Sequence, residues 1–159
     1  MAEHPSITRV VSVLRAAGVE GEPRWFDDAV KTAAQAADAL GVEVGAIANS
    51  LVFTLDGAPI LVMTSGSHRV DTAWLGEQLG GVIGRADAAV VSAATGQVIG
   101  GVAPVGHPEP LPTWVDAQLA SYPQLWAAAG HAHAVFPLSY AELLALTNGT
   151  ETAVVPPAV

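Results

Sequence analysis

The 159 residues include no cysteine. That excludes disulfides, thiolate metal sites and a cysteine nucleophile, and it fits a cytoplasmic protein. Positive charge is almost as scarce: six Lys and Arg stand against fifteen Asp and Glu, for a formal net charge of −9. After Arg85 there is no Lys or Arg at all, only five carboxylates and three histidines. Tight, sequence-independent nucleic-acid binding depends on neutralising phosphates. A polyanionic partner must therefore be held weakly, from the N-terminal half, or by something other than charge. No apolar run is long enough to cross a bilayer, so no membrane role is expected. The start, MAEHPSITRVV, lacks the charged-then-apolar pattern of a secretory signal.

Hydrophobic residues make up 51% of the chain and charged ones 13%, a balance that folds rather than staying disordered. The length suits one domain over residues 1–159. SITRVVSVLRAAG spaces Ile7, Val10, Val11 and Leu14 for a helix, with Ser6 as N-cap and Gly18 as stop. Thr32 and Gly41 bracket a second helix. Ser50–Leu55 and Pro59–Thr64 flank the turn signal Asp56-Gly57 and read as a hairpin. Asp71 caps a further helix, with Val70 and Leu75 as a hydrophobic staple.

Further on, GRADAAVVSAATG reads as a short strand and a helix from Asp87 to just before Gly96. LPTWVDAQL reads as a strand and a turn, and QLWAAAGHAHAVFPL as two strands around Gly130-His131. Ser139 and Glu142 form a capping box for a helix that stops at Asn148-Gly149. The tail ETAVVPPAV is expected to be loose, and the four tryptophans to be core. Irregular alternation with one clear antiparallel hairpin points to α+β with a mixed sheet.

Several constellations carry possible chemistry. SGSHRVD places Ser65, Ser67, His68 and Asp71 within seven residues, but hydrolytic triads usually assemble from distant segments. The expectation is that Asp71 caps a helix while the serines shape a loop. GHAH sets His131 and His133 two apart without the further ligands a metal needs, so no metal site is expected. Asn49 stands just before a strongly apolar strand and needs partners if buried.

GQVIGGVAPVGHPEP, Gly96 to Pro110, holds four glycines and three prolines and no charge before Glu109. It cannot be an ordinary helix or strand interior. Gly100 and Gly101 permit close backbone approach and can leave N–H donors facing a cavity, while Val102, Pro104 and Val105 supply stiff apolar wall. Such an array suits a polarised carbonyl or an oxyanion. A simple glycine-rich turn would read the same way.

GGVAPVGHPEPLPTWVD, with TAAQAADALGVEVGAIANSLVF before it and VFPLSYAELLALTN after it, resembles the YbaK/ProX family. These proteins are free-standing relatives of the editing domain of bacterial prolyl-tRNA synthetases. The resemblance runs from about Phe26 to about Thr147, and its strongest element is the G-G-x-x-P-x-G loop at Gly100–Gly106. It implies an α+β fold with a curved, barrel-like mixed sheet surrounded by helices. It also implies hydrolysis of the ester that joins a wrong amino acid to the 3′ end of tRNA, with no cofactor and with a synthetase as a possible partner.

Water would attack the ester carbonyl while backbone donors stabilise the oxyanion. On this reading Asn49, Gly100 and Gly101 serve catalysis. Ser65, Gly66, His68, Arg69, Val102, Pro104, Gly106, His107, Gly130 and His131 contact the substrate, with Arg69 as a phosphate contact. Where family members carry lysine in a K-[TS]-L-[VL]-F segment, this chain has Asn49. That departure opens an alternative: a non-catalytic or altered-specificity binding module that keeps the aminoacyl pocket.

Overall fold

The computed structural model describes residues 5–27, 32–97, 102–109, 111–131 and 133–156. Its helices are α1 (Pro5–Ala16), α2 (Ala33–Leu40), α3 (Thr72–Leu79), α4 (Ala88–Thr95) and α5 (Tyr140–Thr147). Its strands are β1 (Arg24–Trp25), β2 (Ile47–Leu55), β3 (Ala58–Ser65), β4 (Ile83–Arg85), β5 (Thr113–Asp116), β6 (Leu125–His131), β7 (Ala134–Leu138) and β8 (Thr150–Thr152). Short 3-10 turns, Val44–Ala46 and Ala117–Ser121, precede β2 and follow β5. The fold is α+β, with five helices around one mixed eight-stranded sheet among the described residues.

Local chemistry sets most helix boundaries. Thr32, Asp71, Asp87 and Ser139 each accept a backbone N–H at their helix N-terminus, and Ser139 with Glu142 completes the capping box. Gly41, Gly80, Gly96 and Asn148 end helices in the left-handed conformation. α1 differs from expectation in beginning at Pro5, so Ser6 lies inside its first turn instead of capping it. Proline fits there because a first-turn N–H has no partner within the helix.

The strands run in the order β1-β7-β6-β2-β3-β5-β8, with β4 also paired to β2. β2 and β3 form the expected antiparallel hairpin around Asp56-Gly57, longer at both ends than the sequence pattern. On its other edge β2 is shared: Ile47 and Ala48 pair in parallel with β6, and Phe53–Leu55 pair antiparallel with β4. Between those two pairings, no described strand meets that edge. The β6–β7 turn lies beyond His131, so Gly130 and His131 belong to β6, where the pairing shifts between Ala128 and His131. Gly130 takes a φ of 97° at this irregularity, a backbone angle costly for any other residue.

One face of the sheet packs against α1, α5 and the segment around Ala103 and Val105. Leu14, Leu119, Leu125, Phe136 and Leu143 are fully buried there, each contributing about 1.5–3 kcal/mol by burial. The opposite face carries two smaller clusters. Ile60, Val62 and Leu75 gather in one, and Ala36, Ala37 and Ile47 in the other.

Two expectations need correction. The tail is not loose where it is described: Thr150–Thr152 pair with β5, and Val154 is fully buried and accepts the Asp71 N–H. The four tryptophans are only half-buried and flank the clusters instead of filling them. Their large rings cover the core edge without being enclosed by it.

Candidate functional site

The stretch of β2 whose second edge no described strand meets is the geometric centre of the candidate site. The Gly66 N–H donates to the Ile47 carbonyl, and the Asp56 N–H donates to the Val82 carbonyl across the other edge. Backbone groups of successive strand residues alternate between edges. The N–H and C=O of Ser50 and Val52 therefore point into the gap between β6 and β4. That gap opens on a cavity of about 210 Å³ lined by Ser50–Phe53, Arg85, Ala86, Val91 and Val102. Its side-chain lining is apolar apart from Ser50, whose hydroxyl donates to the Met63 Sδ at 3.2 Å, and Arg85.

Asn49 lies at the start of this stretch. It is exposed and stands in register with Thr64. Its side chain is on the other face of the sheet from Ala48, the face that also bears Thr64 and Asp116. Thus Ser50 and Val52, not Asn49, share the cavity with Val102. Gly100 and Gly101 lie outside the described residues.

From Val102 onward the loop is pinned by side chains. Ala103 is fully buried; its N–H donates to Gln97 Oε1 at 2.7 Å, and its carbonyl accepts from His107 Nε2 at 2.8 Å. Gln97 Nε2 donates in turn to the Val105 carbonyl at 3.1 Å. Pro104 is buried. Gly106 has a φ of 85°, a backbone angle that favours glycine, and a Cβ there would sit 3.1 Å from Val10 Cγ2, a tight contact. Arg9 donates to the His107 carbonyl at 3.0 Å. Burial holds the His107 imidazole below its ordinary pKa; the Ala103 bond opposes this shift and the Arg9 charge adds to it.

The turn after β3 is organised around a residue that the sequence pattern did not single out. Asp116 is 1% exposed. Its Oδ2 accepts from the Ser65 N–H at 3.0 Å, from the Thr64 hydroxyl at 3.3 Å and from His68 Nδ1 at 2.8 Å, while Oδ1 accepts from the Gln118 N–H. Ser65 is fully buried, and its hydroxyl bonds to the Gly45 carbonyl and Ser67 Oγ, not to His68. No Ser-His pair forms, and Asp71 caps α3 as expected. Gly66 packs tightly: a Cβ there would collide with the Val44 carbonyl oxygen and come within 2.8 Å of Ala33 Cβ. Arg69 is exposed and has no partner among the described residues.

His131 accepts the His133 N–H at its Nδ1, 3.1 Å away, and its ring stands 5.6 Å from Trp25 and 5.1 Å from the His133 ring. Gly130 beside it is buried. Among the described residues no group of three His, Asp or Glu is arranged to hold a metal ion. None of the described helices is long and apolar enough to cross a membrane.

The fold and this site define an α+β domain with a small, largely apolar cavity bounded by an open strand edge and a pinned Gly/Pro loop. Residues 27–146 match the aminoacyl-tRNA editing domain, and the chain belongs to that family, the YbaK/ProX family. Among curated relatives, EbsC of Enterococcus faecalis, a candidate Cys-tRNA(Pro)/Cys-tRNA(Cys) deacylase, is 27% identical over 132 residues, covering 82% of this chain and 80% of its own. YwhH of Bacillus subtilis, an uncharacterized protein, is 28% identical over 125 residues, 78% of this chain and 80% of its own. Among solved structures, a candidate trans-editing enzyme for prolyl-tRNA synthetase superposes with a TM-score of 0.91 at 37% identity, covering 98% of this chain and all of the other. The hypothetical protein APE2540 gives 0.84 at 27% identity over 92% and 98%.

Proposed function

We propose that the protein is a cytoplasmic trans-editing deacylase that hydrolyses the ester of a mischarged aminoacyl-tRNA. The observation that carries this reading is the family match over 27–146 together with the loop and the open edge of β2 meeting at one small cavity. An aminoacyl ester is already activated, so the protein need not supply a nucleophile. Water adds to the carbonyl carbon; the tetrahedral intermediate then expels the ribose oxygen, which takes up a proton. Free amino acid and a 3′-hydroxyl on the tRNA are released.

Backbone donors of the Gly100-Gly101 segment stabilise the oxyanion. Asn49 orients the terminal ribose from the rim. Val102 sets the size of the aminoacyl pocket, where one methylene is worth about 1–3 kcal/mol of discrimination, and Pro104, which lines a separate cavity with Arg9 and Val13, stiffens the loop behind it. Ser65, Gly66 and His68 shape the rim on the Asn49 side, and Gly106 and His107 hold the loop. Gly130 and His131 close the pocket from β6. Arg85, at the cavity, and Arg69, exposed on the surface, supply positive charge for the acceptor end. A synthetase partner would add affinity that a chain of net charge −9 cannot provide alone.

A second reading is favoured by one observation, Asn49 in place of the family lysine: a binding module that retains the aminoacyl pocket without turnover. Deacylation over a panel of mischarged tRNAs separates the two. Turnover of at least one ester above the buffer rate is expected for the enzyme. No turnover on any, with thermal stabilisation by free amino acids, would favour the module.

A further inference from the structure

We infer that Gln97 is a positioning residue that sets the pocket wall, and so the substrate-size selectivity, of the deacylase proposed above. The inference rests on that reading. Gln97 lies directly after the left-handed Gly96 that ends α4, and is only 4% exposed. Its amide is used at both ends, accepting the Ala103 N–H at 2.7 Å and donating to the Val105 carbonyl at 3.1 Å. Its own N–H donates to Thr95 Oγ1 at 3.0 Å, and the single Thr95 hydroxyl proton is directed to the Val91 carbonyl at 2.7 Å, with the Gln97 carbonyl at 3.2 Å as a second acceptor. A fully buried threonine on α4 thus anchors the glutamine, and the glutamine anchors the loop.

This pairing demands an amide of this length. Glutamate keeps the acceptor for Ala103 but turns an oxygen toward the Val105 carbonyl, while leucine fills the space and leaves the Ala103 N–H without its partner. Gly106 leaves room for the arrangement, since a Cβ there would stand 3.3 Å from Gln97 Nε2. With His107 holding the Ala103 carbonyl, both polar groups of one residue are fixed. Val102, directly before it, lines the same cavity as Leu51 and Val52. Rotating the peptide between them would move that wall, and misplacement by about 1 Å costs about 100-fold in rate.

The experiment combines amide exchange with kinetics for the wild type, Gln97→Leu and Gln97→Glu. kcat and KM are measured on the best-hydrolysed aminoacyl-tRNA and on its one-methylene homologue. The wild-type Ala103 amide should be protected from exchange. Gln97→Leu should lose that protection, lower kcat by about 10- to 100-fold with KM changed far less, and bring the ratio of kcat/KM for the two esters toward one. If Gln97→Leu does not fold, Gln97→Glu carries the test, with a smaller loss in the same parameters. Free exchange of Ala103 in the wild type overturns the inference. So does a folded variant with lost protection but unchanged kcat and selectivity. A wild type inactive on every ester removes the deacylase reading and the kinetic role with it, while Ala103 protection still reports whether the clamp exists.

Discussion

His68 Nδ1 lies 2.8 Å from Oδ2 of Asp116, a residue 48 positions away in sequence. The carboxylate also collects N–H groups from Ser65 and Gln118 and the Thr64 hydroxyl, so one buried group joins β3, the turn after it and the 3-10 turn after β5. Asp116→Ala would strand these donors away from water. It should lower stability by about 3 kcal/mol, read as a shift in the urea midpoint at constant slope. A change below about 1 kcal/mol would mean that water replaces the carboxylate without loss.

Asn49 tests the chemistry directly. Asn49→Ala should reduce single-turnover deacylation about tenfold if its amide orients the ester, a size typical of losing one oriented hydrogen bond. Asn49→Lys restores the family residue and should raise the rate. Equal rates for all three proteins would remove Asn49 from the mechanism.

Among the described residues, Arg85 is the only cation lining the cavity of Val102. Arg85→Gln should raise KM for aminoacyl-tRNA and flatten the dependence of log(kcat/KM) on log[salt] by about 0.7, the value for one single-strand phosphate contact. Arg24→Gln removes the same charge from β1, away from the cavity, and should leave that slope as it was.

His107 predicts a pH effect on stability. Its pKa is lowered in the folded protein because burial disfavours the charged ring. The unfolded chain therefore binds its proton first as pH falls through about 6.5, and the folded state is penalised. The stability linked to this group is full above that pH and is lost progressively below it. The fall in unfolding free energy from about one pH unit above that value to about one unit below it should be smaller in His107→Gln than in the wild type. An identical acid-side decline in both would show that other groups cause it.

Gly66 tests the packing of the Ser65–His68 turn. A methyl group in Gly66→Ala would meet the Val44 backbone oxygen, which cannot move aside as a flexible side chain could. Overpacking of this kind costs about 1–3 kcal/mol, measurable by thermal unfolding. An unchanged melting temperature would show that the turn can relax.

The sequence made visible what depends on near neighbours. The caps at Thr32, Asp71, Asp87 and Ser139 and the Asp56-Gly57 turn each use residues within a few positions, and all stand as expected. The site was less legible because its defining contacts are long-range. Nothing in SGSHRVD indicates that its histidine pairs with the aspartate of PTWVD; only the β3–β5 pairing brings Thr64 beside Asp116. Gln97 was hidden for another reason. A glutamine between glycine and valine looks like ordinary loop polarity, and only its 4% exposure shows that both ends of the amide must be bonded. β8 escaped notice because three residues carry too little alternation to register as a strand.

The shared strand β2 also bears on how the molecule is made. Ile47 cannot find Trp126, nor Val115 find Glu151, until those distant residues have left the ribosome. The β2–β3 hairpin and its pairing with β4 can form early, but the β2–β6 pairing and the far side of β5 wait for the last third of the sequence. Parallel pairings across such separations are slow to close. Nascent chains should therefore expose apolar sheet faces until β6 and β8 have emerged, and the yield of folded protein should respond to chaperone supply and growth temperature more than its final stability suggests.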